Sequence, residues 1–283
     1  MNKKTTEQYQ ILDSGNLQKL EKVGEYILTR PALNAFWQPS LPKTEWNKAM
    51  GIYERNSSGG GKWSWKIKKP EEWTISYNNI NFLIMPTDFG HLGIFPEQKD
   101  NWEWLKNIVS QHHQIKTLNL FAYSGASSLA MAQAGAKVCH VDAAKGMIDW
   151  AKMNLSCNKN IPNTIRWIVD DVIKFLNKES KRNETYDGIV LDPPSFGRGP
   201  NGQIWKIESD IIPLLEKCRQ ILSPKPLFIL LSLHSHGFSE NTLERILKEV
   251  FGKRITVSSG EMTITENTGN KITAGNYARL LFN

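Results

Sequence analysis

The chain has 283 residues, with 35 Lys and Arg against 28 Asp and Glu, a formal net charge of +7. That length builds a full core without staples and suits about two domains, and the positive balance is compatible with a polyanionic partner without establishing one. Three widely spaced cysteines, Cys139, Cys157 and Cys218, give neither a disulfide framework nor a metal-ligand spacing, so a reducing compartment and no metal are expected. No run approaches the ~20 apolar residues of a membrane span. The stretch Met1–Gln10 has no apolar segment of the signal-peptide kind. No membrane association and a cytoplasmic location are the expectations.

Up to about residue 100, aromatic and turn residues crowd short strand-like pieces: Gly24–Arg30, Trp63–Ile67, Trp73–Tyr77 and Asn81–Met85. Pro31, Pro39, Pro42, Pro70 and Pro86 punctuate them. This pattern predicts a small antiparallel β-rich domain over 1–95. Between Lys43 and Lys69 there are seven basic residues and two acids, Glu45 and Glu54. Trp46, Trp63 and Trp65 interleave with them around Gly59–Gly61. Basic and aromatic residues together suit looped or single-stranded RNA. Tryptophans packed in a small core, with lysines on a solvated strand face, give the same pattern. A clamp on the second domain or a homodimer contact are further readings.

The segment 100–113 has a helical pattern that joins the two parts. From there strands alternate with helices, which predicts an α/β domain over 96–283 with a mainly parallel sheet. Strands are expected near 116–121, 137–142, 164–169, 186–191 and 225–233. Helices are expected near 126–134, 144–158, 171–181 and 207–222. A helix near 239–251 then precedes two last strands near 254–265 and 276–282.

Open α/β sheets bind ligands at the carboxyl ends of their strands. The first strand of this part runs into the small-residue turn Ala122-Tyr123-Ser124-Gly125, which lets a ligand approach backbone amides at a helix N-terminus. The next strand ends in Asp142, placed to hold the two hydroxyls of a ribose. The third ends in Asp170-Asp171, near where an adenine edge would lie. Asp142 and Asp171 also suit capping of the helices that follow them. The turn lacks the Gly-x-Gly-x-x-Gly fingerprint, which disfavours a dinucleotide. The fourth strand, Gly188-Ile-Val-Leu191, stops at Asp192-Pro193-Pro194. The prolines fix φ and pin the residue before them in extended geometry, so Asp192 is held rigidly at a strand end.

Phe121-Ala-Tyr-Ser-Gly125, His140-Val-Asp-Ala143, Asp170-Asp171 and Leu191-Asp-Pro-Pro-Ser-Phe-Gly197 together resemble the class I S-adenosylmethionine-dependent methyltransferases. Within them they are similar to the branch that includes large-subunit ribosomal RNA methyltransferases. Gly93-Ile-Phe-Pro-Glu-Gln98 is similar to that branch's Gly-Phe-Phe-Leu-Asp-Gln segment. The resemblance covers roughly residues 90–283. It implies a Rossmann-like, seven-stranded, mostly parallel methyltransferase sheet with a reversed last strand, and S-adenosylmethionine as cofactor. It places Phe121, Ala122, Tyr123 and Gly125 against the methionine part. Asp142 falls at the ribose, Asp170 and Asp171 at the adenine, Ala143 among the cofactor-binding residues, and Asp192 at the sulfonium and substrate. Gln98 helps order the methionine end. Asn119 stands where the family usually carries an acid, which weakens an ionic contact to the cofactor's ammonium group.

The expected chemistry is in-line methyl transfer, to which a protein contributes positioning and desolvation. The Asp192 carboxylate and the Pro193 carbonyl are candidates to accept hydrogens from an exocyclic base nitrogen, and Phe196 to stack on a base. The usual nitrogen-methylating signature has an aromatic directly after Pro-Pro; here Ser195 intervenes. Carbon-5 methylation of a pyrimidine needs a cysteine nucleophile. The segment after the fifth strand, Leu231-Ser-Leu-His-Ser-His-Gly-Phe238, has none, which argues against that chemistry. Arg198, in a glycine-rich loop expected to form a lid, and Ser195, His234 and His236 are substrate-side candidates. The function that follows is a methyltransferase acting on a base of RNA, ribosomal in particular. The alternatives are a methyltransferase for a protein or small molecule, and a catalytically silent cofactor- or RNA-binding module.

Overall fold

The computed structural model describes residues 7–56, 60–198, 204–234, 237–252 and 254–283. They form two compact units: Met1–Lys99 with Thr263–Ala274, and Asp100–Met262 with Gly275–Asn283. A boundary read from composition at residue 95 misses Thr263–Ala274, because that segment has the strand pattern of the sheet it continues.

The first unit holds β1 (Tyr9–Gly15), β2 (Gln18–Val23), β3 (Tyr26–Pro31), the short helix α1 (Lys43–Trp46), β4 (Gly51–Arg55), β5 (Gly61–Trp65), β6 (Trp73–Tyr77) and β7 (Ile80–Ile84). Strands β1 to β5 form one sheet in chain order, and β6 and β7 pair separately. Asn16 and Leu17 (φ 50° and 63°) close β1 onto β2, and Asn78 and Asn79 (φ 53° and 59°) close β6 onto β7. Positive φ at both central residues is what a two-residue hairpin turn needs. Contrary to the all-antiparallel expectation, β3 and β4 run parallel, because the stretch containing α1 carries the chain back before it pairs again. Glu21 is fully buried on β2. Burial works against its charge, but Arg30 and Lys19 hold its carboxyl down to about 2. Tyr9 also donates to it at 2.7 Å.

The second unit holds α2 (Lys99–Ser110), β8 (Lys116–Leu120), α3 (Ala126–Gln133), β9 (Lys137–Asp142), α4 (Lys145–Ser156), β10 (Ile165–Val169), α5 (Val172–Lys181) and β11 (Gly188–Leu191). It continues with β12 (Phe196–Arg198), β13 (Ile204–Lys206), α6 (Ile207–Gln220), β14 (Phe228–Leu233), α7 (Glu240–Phe251), and the greater part of β15 (Ile255–Thr265) and β16 (Lys271–Phe282), whose residues 263–265 and 271–274 fall in the first unit. The seven-stranded sheet has the order β10-β9-β8-β11-β14-β16-β15. Strands β10, β9, β8, β11 and β14 are parallel to their neighbours, and β16 pairs antiparallel to β14. The parallel strands read as apolar runs because helices cover both faces. Gly188-Ile-Val-Leu191 and Phe228–Leu233 are buried throughout. Gly188 leaves room for the Phe228 ring, which a Cβ there would meet at 2.3 Å.

Two expectations need correction. The loop Phe196–Gln203, expected as a flexible lid or a plain surface loop, starts in a strand, with Phe196–Arg198 pairing antiparallel with Ile204–Lys206 as a ribbon; residues 199–203 lie outside the described residues. The strand expected near 276–282 is longer, at Lys271–Phe282.

Candidate active site

Strand order reverses between β8 and β11: from β8 the chain proceeds outward through β9 and β10, then returns to the other side of β8 with β11 and β14. Such a switch point opens a crevice beyond the carboxyl ends of the strands. The parallel register brings those ends level. Val169 pairs with Asp142, Leu120 with Val141 and Leu191, and Leu191 with Leu231. The turn after β8, Asp142, Asp170-Asp171, Asp192 and His234 therefore share one edge of the sheet.

The turn after β8 is conformationally unusual. Phe121 and Tyr123 have φ of 55° and 50°, and Gly125, the cap residue of α3, has 92°. Non-glycine residues in this region cost of order 1–3 kcal/mol each and persist only where surrounding structure fixes them. Here Ala122 N donates to Val141 O at 3.1 Å and Tyr123 N to the Asp142 carboxylate at 2.9 Å. The buried Asn154 side chain donates to Ser124 O at 2.8 Å. A Cβ at Gly125 would sit 3.0 Å from the Ala151 Cβ, so space and φ both favour glycine there.

Asp142 ties this turn to the next. One oxygen accepts from Tyr123 N and the other from Ala144 N, each at 2.9 Å. A carboxylate has about four acceptor positions, so each oxygen keeps capacity for one more donor, which fits the two hydroxyls of a ribose. Burial pushes its carboxyl pKa up, against the lowering effect of the bonds from Ala144 and Tyr123. Asp171 caps α5, accepting from Lys174 N at 2.9 Å. Asp170 accepts from Asp171 N at 3.0 Å and pairs with Lys178 at 2.6 Å. Ala143 is exposed beside them, as is Val169.

Asn119 is drawn into the core instead. Its amide nitrogen donates to Ser128 Oγ at 2.9 Å, and that hydroxyl lies 2.9 Å from His140 Nδ1. All three are buried, and burial pushes His140 down to about 3, so it is neutral at physiological pH. This polar chain pins α3 onto β8 and β9. Gln98 is buried in a turn of 3-10 helix, Pro96–Gln98, that belongs to the first unit.

Asp192 follows β11 directly and is partly buried, with His234 Nε2 3.6 Å from its carboxylate. Pro193 is buried, Ser195 is exposed, and Phe196 is 52% exposed. Arg198 pairs with Ile204 in the backbone ladder; His236 lies outside the described residues. Trp205, which carries no recognised motif, donates from its indole nitrogen to Pro194 O at 2.6 Å. Its ring lies 5.5 Å from that of Phe121. Trp205 lies eleven residues beyond Pro194 in the sequence, and only the fold pairs them. A cavity of about 310 Å³ lies at the opposite end of the strands, lined by Lys116, Lys137, Arg166 and Tyr186 among others, and includes none of these acids.

Among the described residues no group of three His, Cys, Asp or Glu could hold a metal ion, and no helix is long and apolar enough to cross a membrane.

The sequence model of a family described as S-adenosylmethionine-dependent methyltransferase matches residues 14–229, so the similarity reaches well upstream of residue 90. The ribosomal RNA large subunit methyltransferase K/L of Desulfotalea psychrophila is 30% identical over 216 residues, covering 75% of this chain and 28% of the relative. The ribosomal RNA large subunit methyltransferase I of Tolumonas auensis is 34% identical over 130 residues, 45% of this chain and 32% of the relative. The chain thus spans about a third or less of these curated relatives. A crystal structure of an S-adenosylmethionine-dependent methyltransferase from Agrobacterium tumefaciens superposes with a TM-score of 0.92 at 38% identity, covering 98% of this chain and 91% of that one. The chain belongs to the S-adenosylmethionine-dependent methyltransferase family, with S-adenosylmethionine as its cofactor.

Proposed function

We propose that the protein methylates a base of RNA, ribosomal RNA first, in the cytoplasm and without a cysteine nucleophile. The observation that carries the site assignment is Asp192-Pro193-Pro194 at the carboxyl end of β11, one strand from the Phe121–Gly125 turn at the switch point. The RNA assignment rests on the names of the relatives and the net charge of +7. It also rests on the exposed Phe196 ring, since unpaired bases stack on aromatic side chains.

When bound, S-adenosylmethionine supplies an electrophilic methyl group. The turn Phe121–Gly125 receives its methionine end, Asp142 its ribose hydroxyls, and Asp170-Asp171 with Val169 and Ala143 the adenine. Asp171 uses one oxygen as a helix cap and retains the other for the adenine amine. Asn119 supports the turn through its bond to Ser128. Asp192 and the Pro193 carbonyl accept hydrogens from the attacking nitrogen, and the two prolines hold them in place. His234 stands beside Asp192 to receive a proton, with Ser195 and Arg198 on the substrate side.

The cysteines support a direct transfer. Cys139 and Cys218 are buried, and burial pushes both thiols up, Cys139 to about 11. Cys157 follows the last residue of α4, a crossover helix that runs back from the site to the other edge of the sheet.

Nucleosides of total RNA, compared by mass spectrometry between wild-type and gene-deleted cells, test the proposal. Loss of one methylated nucleoside, restored by the intact gene and not by an Asp192→Asn copy, is expected. Unchanged RNA with transfer of methyl to protein or to a metabolite would overturn it.

A further inference from the structure

The outer face of the β12–β13 ribbon carries Phe196, the ring already assigned to stack on a base, and the rest of its make-up is specific. In an antiparallel ribbon, cross-strand partners share a face and successive residues alternate between faces. The register pairs Phe196 with Lys206, Gly197 with Trp205 and Arg198 with Ile204. Trp205 defines the inner face, fastened to the Pro194 carbonyl at 2.6 Å and packed against Phe121. Phe196, Lys206 and Ile204 consequently lie on the outer one. Phe196 is 52% exposed, Ile204 58%, and Lys206 is exposed as well. The Lys206 ammonium forms no ion pair among the described residues.

We infer that this outer face docks an unpaired nucleotide next to the one that is methylated, with its base on Phe196 and Ile204 and its phosphate against Lys206. The inference rests on the RNA assignment and deepens it. A ring, an aliphatic side chain and a cation with no ion pair among the described residues, on one short ladder, match the flat apolar face and the charge of a single nucleotide. A second copy of this chain, with a net charge of +7, would bring like charge to Lys206. A continuous duplex keeps its base faces stacked and has none to offer. Through Trp205 the ribbon is fixed to the Asp192-Pro193-Pro194 turn, so a nucleotide held on its outer face stands at a set distance from the transfer site.

The test uses the full chain saturated with S-adenosylhomocysteine and two fluorescent probes: an unpaired twelve-nucleotide oligoadenylate and a twelve-base-pair RNA duplex. Lys206→Ala and Ile204→Ser are compared with the wild type. Both variants are expected to bind the unpaired probe about fivefold or more weakly, with S-adenosylhomocysteine affinity within twofold. Lys206→Ala is expected to reduce the slope of log affinity against log salt by about 0.7, as loss of one phosphate contact to a single strand requires. Ile204→Ser is expected to leave duplex binding within twofold. Lys206→Gln repeats the charge test should the alanine variant bind S-adenosylhomocysteine poorly. Unchanged binding of the unpaired probe by both variants, or an equal loss on the duplex, would overturn the platform while leaving the RNA assignment standing. A wild type that binds neither probe would overturn both.

Discussion

Asp142 and Asp192 stand at the tips of different strands, and the proposed function gives them different work. Asp142 accepts two backbone amides, from Tyr123 and Ala144, so Asp142→Ala removes a ligand contact and a brace between two turns. Hydrogen bonds to a charged group are worth about 1.5–3 kcal/mol. Calorimetry should therefore show S-adenosylhomocysteine binding weakened by at least tenfold; unchanged affinity would remove Asp142 from the ribose. The same residue sets a pH dependence. Burial raises its pKa in the free protein, and a ribose diol binds only the ionised form. Affinity should be flat at neutral pH and decline as pH falls through a value above that of an ordinary aspartate; Asp142→Asn should abolish this decline. Asp192→Asn behaves oppositely. It should keep cofactor affinity within about threefold and lower the transfer rate by about 10²-fold or more, the usual worth of a positioned proton acceptor. A variant with wild-type turnover would exclude Asp192 from the chemistry.

The elements differ in how readable they were. Strands β8 to β11 and β14 were legible because each is a short apolar run between helices, and their ends followed from Gly125, Asp142, Asp170-Asp171 and Pro193. Strands β1 and β2 were not, because Asp13, Ser14 and Glu21 lie in them, and these polar residues are buried with partners distant in sequence. No local pattern announces such partners. The β12–β13 ribbon was hidden by its glycines, and Trp205 with it. The cap assignment of Asp171, readable from the sequence beside the adenine assignment, is visible in the structure. Asp171→Ala should destabilise the protein by about 0.5–2 kcal/mol in urea unfolding. A variant with unaltered stability would show that the cap contributes nothing in solution. The buried chain Asn119–Ser128–His140 adds a second pH effect. His140 titrates near its ordinary value when unfolded but at about 3 when folded, so the unfolded state binds the proton first. Stability should fall as pH drops from about 6.5 towards 3. His140→Gln should flatten that decline, and an equally steep profile in the variant would move its origin elsewhere.

At the scale of the whole molecule, the sheet order puts five parallel strand ends along one edge and reverses direction beside the first of them. That single topological fact brings strand ends from residues 121 to 234 to one edge, and it explains why motifs that are weak singly were specific as a set. The family match over residues 14–229 reaches into both compact units, while the candidate site residues from Asn119 to His234 all belong to the second. Its central requirement is that the strand tips embrace one adenosyl group. A crystal structure with S-adenosylhomocysteine measures this directly. Density for the ribose within hydrogen-bonding distance of Asp142, the amino-acid end against Phe121–Gly125 and the sulfur facing Asp192 is predicted; density at the other end of the strands, or a ribose away from Asp142, would contradict it.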